Sequence, residues 1–279
     1  MKEADDDRKH ARASVLNERI ASIPLIGKAT APIFGFDELR NRKQLFASAI
    51  LLKIHETHFA LTAAHVLDER SKLDLYVGSG DKGVPLRGSF GSTNFPTSGS
   101  RKQDKIDLGI VRLSKEVVRD MRENEFLALD NIDLSVTTTG HYVFAGYPSS
   151  THKKAIKAEE ATVALSSFIV DSAPLTDYQI AGLDSNISLA LRFDKQNMWG
   201  QQGQGSGIPS PTGVSGGGVW RLDDVFATTP LKPLLVAICI KWWEKGKPLK
   251  CVLATRMHVA LSAIRDHFPE LRPYLPGSL

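Results

Sequence analysis

Three short segments carry residue types that can do nucleophilic chemistry together. His65 follows Thr62-Ala63-Ala64 at the end of an apolar run, Asp107 opens the segment Asp107-Leu108-Gly109-Ile110-Val111, and Ser215 stands in Thr212-Gly213-Val214-Ser215-Gly216-Gly217-Gly218. A serine hydroxyl is a weak nucleophile until a base takes its proton, and an imidazole serves best when a carboxylate fixes its tautomer. A carboxylate at the head of an apolar strand is costly to bury unless it is hydrogen-bonded. Accepting from a histidine ring N–H would satisfy Asp107. Asp104, in the polar stretch just upstream, is the competing carboxylate. Gly213 can adopt backbone angles closed to other residues, so its N–H and that of Ser215 can converge on one point as an oxyanion hole. Gly216 and Gly217 let substrate and neighbouring strands approach the hydroxyl closely. Singly, these residues read as an edge histidine, an exposed aspartate and a Gly-Ser turn; jointly they are far more specific.

The elements that must position them are mostly strands. Runs rich in Val, Ile, Leu, Phe and Thr recur at 45–54, 58–63, 72–77, 106–113, 141–147, 158–166, 187–193, 218–222, 234–241 and 250–255, separated by Gly, Ser, Asp and Pro. Many short strands with turn signals between them predict an all-β sandwich or barrel. A charged helix is expected over Ala4–Ile20, and a second over Met257–Phe268, where Leu261, Ile264 and Phe268 fall at helical spacing. The polar stretches Asp81–Lys105 and Asn197–Gly213 read as long loops. The expected division is 1–42 as an N-terminal helical extension, 43–135 and 136–255 as two β units, and 256–279 as a C-terminal helix and tail.

The order His, Asp, Ser is that of the chymotrypsin type. The three segments resemble the T-A-A-H, D-I-A-L and G-D-S-G-G-P signatures of trypsin-like serine peptidases, and the strand pattern extends the resemblance over about residues 43 to 255. It implies two six-stranded antiparallel β-barrels with the active site in the cleft between them, His65 and Asp107 coming from the first and Ser215 from the second. It also implies a serine endopeptidase acting on a protein or peptide substrate through an acyl-enzyme, with no cofactor and no metal.

Some positions depart from the family. Val214 replaces the aspartate that pairs with a new N-terminal amine after activation cleavage, and no Ile-Val-Gly-Gly start is evident, so that switch is expected to be absent and the oxyanion hole to be ordered by substrate or partner. Gly218 stands in place of a proline. The T-A-A-H-V and G-x-S-G-G-G versions of the motifs, together with Ala145–Pro148, are most similar to bacterial intracellular trypsin-like peptidases. That implies a regulated, defence-type effector with a regulatory partner protein. The family's pocket floor, six residues before the nucleophile, falls on Pro209, while Ile240, Lys241 and Trp242 match the pocket wall and substrate-pairing edge. With no acid at Pro209, a preference for Arg or Lys is disfavoured.

Two other readings compete. One is an idle trypsin fold used as a binding module. The other is an α/β-hydrolase-type esterase, since Gly213-Val214-Ser215-Gly216-Gly217 fits G-x-S-x-G, with Asp223 or Asp224 and His258 in order. That elbow requires a helix immediately after the serine, and Gly216-Gly217-Gly218 disfavours one by roughly 1 kcal/mol per glycine.

Composition narrows the classes further. The 279 residues are 42% hydrophobic and 24% charged, with a formal charge of +4 and a pI near 9.0. The basic excess is not clustered with aromatics, so no nucleic-acid partner is expected; Lys153, Lys154 and Lys157 are offset by Glu159 and Glu160. No apolar run approaches the roughly 18 residues of a membrane span, and the charged start lacks the apolar core of a signal peptide. A cytoplasmic location is the expectation. Cys239 and Cys251, the only cysteines, lie in apolar runs and read as buried thiols, although a cross-strand disulfide is geometrically open to them.

Overall fold

Strands that alternate inward and outward side chains curl into two antiparallel sheets. The computed structural model describes residues 24–37, 42–97, 99–137, 141–151, 163–194, 199–200, 203–204, 209–222, 232–243 and 250–277. The first sheet contains β1 (Thr30–Asp37), β2 (Arg42–Ile54), β3 (Thr57–Ala63), β4 (Asp74–Ser79), β5 (Lys82–Pro85), β6 (Gly88–Ser92) and β7 (Leu108–Leu113), in the order β5-β4-β1-β2-β3-β7-β6. The second contains β8 (His141–Gly146), β9 (Ser166–Asp171) and β10 (Ser188–Arg192), then, after a small β11 (Trp199–Gly200) and β12 (Gly203–Gln204) pair, β13 (Gly218–Leu222), β14 (Pro233–Trp243) and β15 (Cys251–Arg256). Its order is β10-β15-β14-β13-β8-β9. The helices are α1 (Pro24–Ala29), α2 (Ala64–Asp68), α3 (Lys115–Asp120), α4 (Leu175–Ala181) and α5 (Met257–His267).

Both sheets close on themselves. β5 and β6 lie at opposite ends of the first sheet but are consecutive in the chain. The Leu86 amide donates to Leu75 O at 2.8 Å, and the Ser114 amide to Arg87 O at 3.1 Å, so pairing passes around the bend. Counted as one bent strand, they make the expected six; the bend makes them seven. In the second sheet the Ala173 amide donates to Ala190 O at 2.8 Å, joining the ends of β9 and β10.

Side-chain alternation sorts most of the apolar residues into a core inside each barrel and a third between them. On β2, Ala47, Ala49 and Leu51 fill the first barrel, whereas Ile50, Leu52 and Ile54 point out of it. On β8, Tyr142 and Phe144 fill the second barrel, whereas Val143 and Ala145 point out. The outward sets meet in the core that joins the barrels, with Phe59, Leu61, Ile110, Trp220 and Ile238. Helix α5 lays Met257, Ala260, Leu261 and Ile264, one helical stripe, against that same core.

Several expectations change. The first barrel begins at Thr30, not residue 43: β1 sits between β4 and β2. Pro32 and Gly35 disguise this strand in the sequence, and Pro32 is tolerated because the β1–β4 ladder starts only at Ile33. The polar stretch 81–105 holds β5 and β6, whose largely exposed side chains erase the apolar alternation. The strand expected at 158–166 runs instead over Ser166–Asp171, and 158–162 lie outside the described residues, as does the helix expected at Ala4–Ile20. Cys239 and Cys251 are free, buried thiols; they are not opposed, since Cys239 faces Ala254 and Cys251 faces Trp243. No helix among the described residues is long and apolar enough to cross a membrane.

Leu261 is fully buried in the joining core. Leu261→Ala is expected to destabilise the protein by about 2–5 kcal/mol, read as a lowered urea midpoint; a change below about 0.5 kcal/mol would mean that α5 only decorates the barrels.

Candidate active site

His65 is the second residue of α2, which starts where β3 ends. The Asp107 carboxylate grips it twice. Oδ1 accepts the His65 backbone N–H at 2.9 Å, and Oδ2 lies 2.7 Å from the ring Nδ1. The Ala64 amide donates to Asp107 O at 2.8 Å. Asp107 is 1% exposed, so burial requires this pairing, while the His65 side chain is 39% exposed and presents its outer edge to solvent. With Oδ2 holding Nδ1–H, the tautomer that leaves Nε2 with a lone pair is favoured.

A second carboxylate makes this geometry. Asp107 has φ +42°, in the left-handed region. Asp104 Oδ1 accepts the amides of Ile106 at 3.0 Å and Asp107 at 2.8 Å, folding the chain into that bend. Its Oδ2 accepts from the Thr93 hydroxyl and from Arg101, both at 2.9 Å. Arg101 Nε also reaches Asp68, on α2, at 2.8 Å. The second barrel grips the same bend: Thr255 Oγ1 donates to Ile106 O at 2.5 Å, and Lys241 Nζ donates to Asp104 O. Asp104 is thus a structural support for Asp107, and its place in a polar run hid that role from sequence reasoning. Burial would raise its pKa, but the amide, hydroxyl and guanidinium donors outweigh that and hold the carboxyl below the usual carboxylate range.

Ser215 lies in the turn between Pro211 and β13. The bonds of this turn leave a defined remainder. The carbonyls of Thr212, Gly213, Val214 and Ser215 accept from Ser149 N, Ser48 Oγ, Gly217 N and Ser48 N. The amides of Val214, Gly216 and Gly217 donate to Pro211 O, Cys239 O and Val214 O. Among the described residues, the amides of Gly213 and Ser215 have no protein acceptor. Two N–H groups one residue apart, with Gly213 at φ +95°, are what a developing oxyanion needs. Gly216, at φ +86°, could not carry a Cβ, which would lie 1.9 Å from Ser48 O and 2.3 Å from Thr62 Oγ1.

Ser48, inside β2 of the first barrel and fully buried, ties that barrel to the Ser215 turn. Its amide donates to Ser215 O at 2.8 Å, its hydroxyl to Gly213 O at 3.1 Å, and its carbonyl accepts from Thr62 Oγ1 at 2.8 Å. The signal in the sequence was a lone serine within Phe46-Ala47-Ser48-Ala49-Ile50. Through Thr62 the turn abuts the end of β3, just before His65. Among the described residues Ser215 Oγ and His65 Nε2 make no hydrogen bond in this conformation; such bonds commonly tighten only with substrate in place.

Beside Ser215 is a pocket lined by Pro211, Val214, Cys239, Lys241, Trp242 and Val252. Of the four expected pocket residues, Lys241 and Trp242 line it. Pro209 does not; Pro211, nearer the nucleophile, takes that place. Ile240 does not either, because it projects from the opposite face of β14 and is fully buried with Tyr178, Cys251 and Leu253. Burial pushes the Cys239 thiol strongly upward, leaving it neutral and unreactive.

For the esterase alternative, β13 rather than a helix follows Ser215-Gly216-Gly217, which removes the nucleophile elbow. His258 lies half-buried on α5, with its pKa lowered by burial and by Arg256, and Asp223 and Asp224 lie outside the described residues. Among the described residues no group of three His, Cys, Asp or Glu side chains could hold a metal ion.

No family model and no curated protein match the chain. Among solved structures it is similar to the scabies mite inactivated protease paralogue S-I1, with a TM-score of 0.58 and 14% identity over 88% of this chain and 96% of that one. The fold is therefore the chymotrypsin-like double barrel.

Because the native pKa of Asp104 is depressed, its contribution to stability is complete above its unfolded pKa of about 3.9 and is lost as pH falls through the native value. Asp104→Asn is expected to lower the urea midpoint at pH 6 and to do so much less near pH 3. An equal loss at both pH values would show that the charge on Asp104 is not what matters.

Proposed function

We propose that the chain is a serine endopeptidase of the trypsin-like class. The observation that carries this reading is the doubly held His65–Asp107 pair beside a serine turn that packs on Thr62, three residues before His65, and leaves the amides of Gly213 and Ser215 without a protein acceptor among the described residues. His65 Nε2 takes the Ser215 proton as Oγ attacks a peptide carbonyl. The oxyanion formed then sits against the amides of Gly213 and Ser215. His65 returns the proton to the leaving amine, and water repeats the sequence to release the acyl group. Asp107, with both oxygens already engaged by His65, holds the ring and stabilises its charged form. No cofactor is needed for these steps.

The lining of the hollow beside Ser215, which has room for about one water molecule as it stands, supports an apolar side chain before the scissile bond. That lining is apolar apart from Ser215 and Lys241, whose ammonium is drawn to the Asp104 carbonyl. A basic side chain would meet a like charge there and no carboxylate among the described lining. The closer likeness to bacterial intracellular peptidases, and with it an intracellular setting, rests on the T-A-A-H-V and G-V-S-G-G-G segments alone. The solved neighbour is an inactivated paralogue, so an idle binding module is the reading to be eliminated.

Ser215→Ala is expected to lower kcat by several orders of magnitude, on the scale of triad removal. Intact protein treated with a fluorophosphonate should gain one adduct, mapped by mass spectrometry to Ser215. His65→Ala should block that labelling. Protein that is folded yet takes no label, and cleaves no member of a peptide library, would be the idle module instead.

A further inference from the structure

One of the two donors of the proposed oxyanion hole, Gly213 N–H, is aimed by the peptide that joins Thr212 to Gly213. In a trans peptide the carbonyl and the following N–H point in opposite directions, and no cis bond occurs among the described residues. Whatever holds Thr212 O therefore aims Gly213 N–H the other way. Thr212 O is held by the Ser149 amide at 2.8 Å and by the Ser149 hydroxyl at 3.2 Å.

Ser149 opens a short 3-10 turn (Ser149–Thr151) directly after β8 and the Gly146-Tyr147-Pro148 corner. That turn is fastened to the serine segment a second time, by Ser150 Oγ donating to Ser210 O at 3.2 Å. Contact between the two is close: a Cβ on Gly213 would fall 2.6 Å from Ser149 N and 2.9 Å from Tyr147 O. Ser48 Oγ fixes the next carbonyl, Gly213 O. The Thr212–Gly213 and Gly213–Val214 peptides are thus oriented from outside their own turn, by the turn after β8 and by a residue of β2, whereas the Val214–Ser215 peptide is held from within it by the Gly217 amide. Neither fastening uses a charged group or a chain terminus, and Val214 offers no carboxylate to an amine.

We propose that Ser149 is a positioning residue whose N–H latches the Thr212–Gly213 peptide, so that the oxyanion hole is formed in the uncleaved chain without an activating cut and without a partner to order it. The inference rests on the peptidase reading given above and adds its regulation: the hole needs no newly freed amine to order it.

The test compares the unprocessed full chain with Ser149→Pro and Ser149→Ala, using the best-cleaved member of a fluorogenic peptide library and a fluorophosphonate probe. Proline suits the first position of a helical turn, where its fixed φ fits, but it removes the N–H and puts Cδ against Thr212 O. Alanine removes only the hydroxyl. Unprocessed wild type is expected to be active. Ser149→Pro is expected to lose about 10²–10³-fold in kcat, the scale of one lost oxyanion donor, with KM changed little and with the same pH profile of kcat/KM, since His65 and Asp107 are untouched. Ser149→Ala is expected to stay within severalfold of wild type. Active wild type together with an equally active Ser149→Pro overturns the latch and leaves the peptidase reading standing. Wild type inert to both peptide and probe overturns both.

A measurement on wild type alone guards against a proline variant that fails to fold. By amide hydrogen exchange, Ser149 N–H should be protected and Gly213 N–H unprotected, until a peptide boronate is added and protects Gly213. A fast-exchanging Ser149 amide in the free protein overturns the latch.

Discussion

Among the described residues, one buried carboxylate has a single residue to satisfy it. Asp107 is almost fully enclosed, and both of its oxygens are used on His65, one on the backbone amide and one on the ring. Unpaired, that charge would oppose folding by several kcal/mol. The pairing therefore couples stability to the geometry of the candidate site: the fold that buries Asp107 without penalty is also the fold in which the imidazole is held at a set angle. The left-handed φ of Asp107 and the Asp104 bend that produces it are consequences of the same demand.

Parts of the site belong to neither barrel by itself. The first barrel supplies His65, Asp107 and, through Ser48, the bonds that hold the Ser215 turn. The second supplies that turn and reaches back through Thr255 and Lys241 to the bend before Asp107. Polar contacts run in both directions across the junction, while the apolar joining core, from Ile50 and Leu61 to Trp220 and Ile238, keeps the barrels in register. Dispersion and burial supply the cohesion there, and the directional hydrogen bonds of Ser48 and Ser149 supply the angular precision that a nonspecific apolar contact lacks. Glycines at 213 and 216 are the places where these backbones come too close for any side chain.

The strands most legible from residues were those that form nearly continuous apolar runs because both faces are buried, such as β2, β3 and β13. β1 was hidden by Pro32 and Gly35, and β5 and β6 by exposure on both faces. The pocket was legible only in part. Lys241 and Trp242 lie on it, but a bulge opposite Ala254 and Leu253 inserts Ile240 as an extra residue facing away. A sequence offset carries no information about such an insertion. The placement of Pro209 failed for a related reason, since counting back from the serine ignores how tightly the Pro211–Gly217 turn folds on itself.

What the linear order of residues determined by itself is chemical inventory and local rule: a hydroxyl flanked by glycines, a histidine after small residues, a carboxylate heading an apolar strand, and many short apolar runs parted by turn residues. These follow from bonding and sterics within a few residues. Tertiary structure alone revealed that Asp104 folds the bend that sets Asp107 against His65. It also decided that Ser48 and Ser149, unremarkable in the chain, orient the peptides around Ser215. Those choices depend on hydrogen-bond angles between segments dozens of residues apart, and such angles exist only once both barrels have closed and docked.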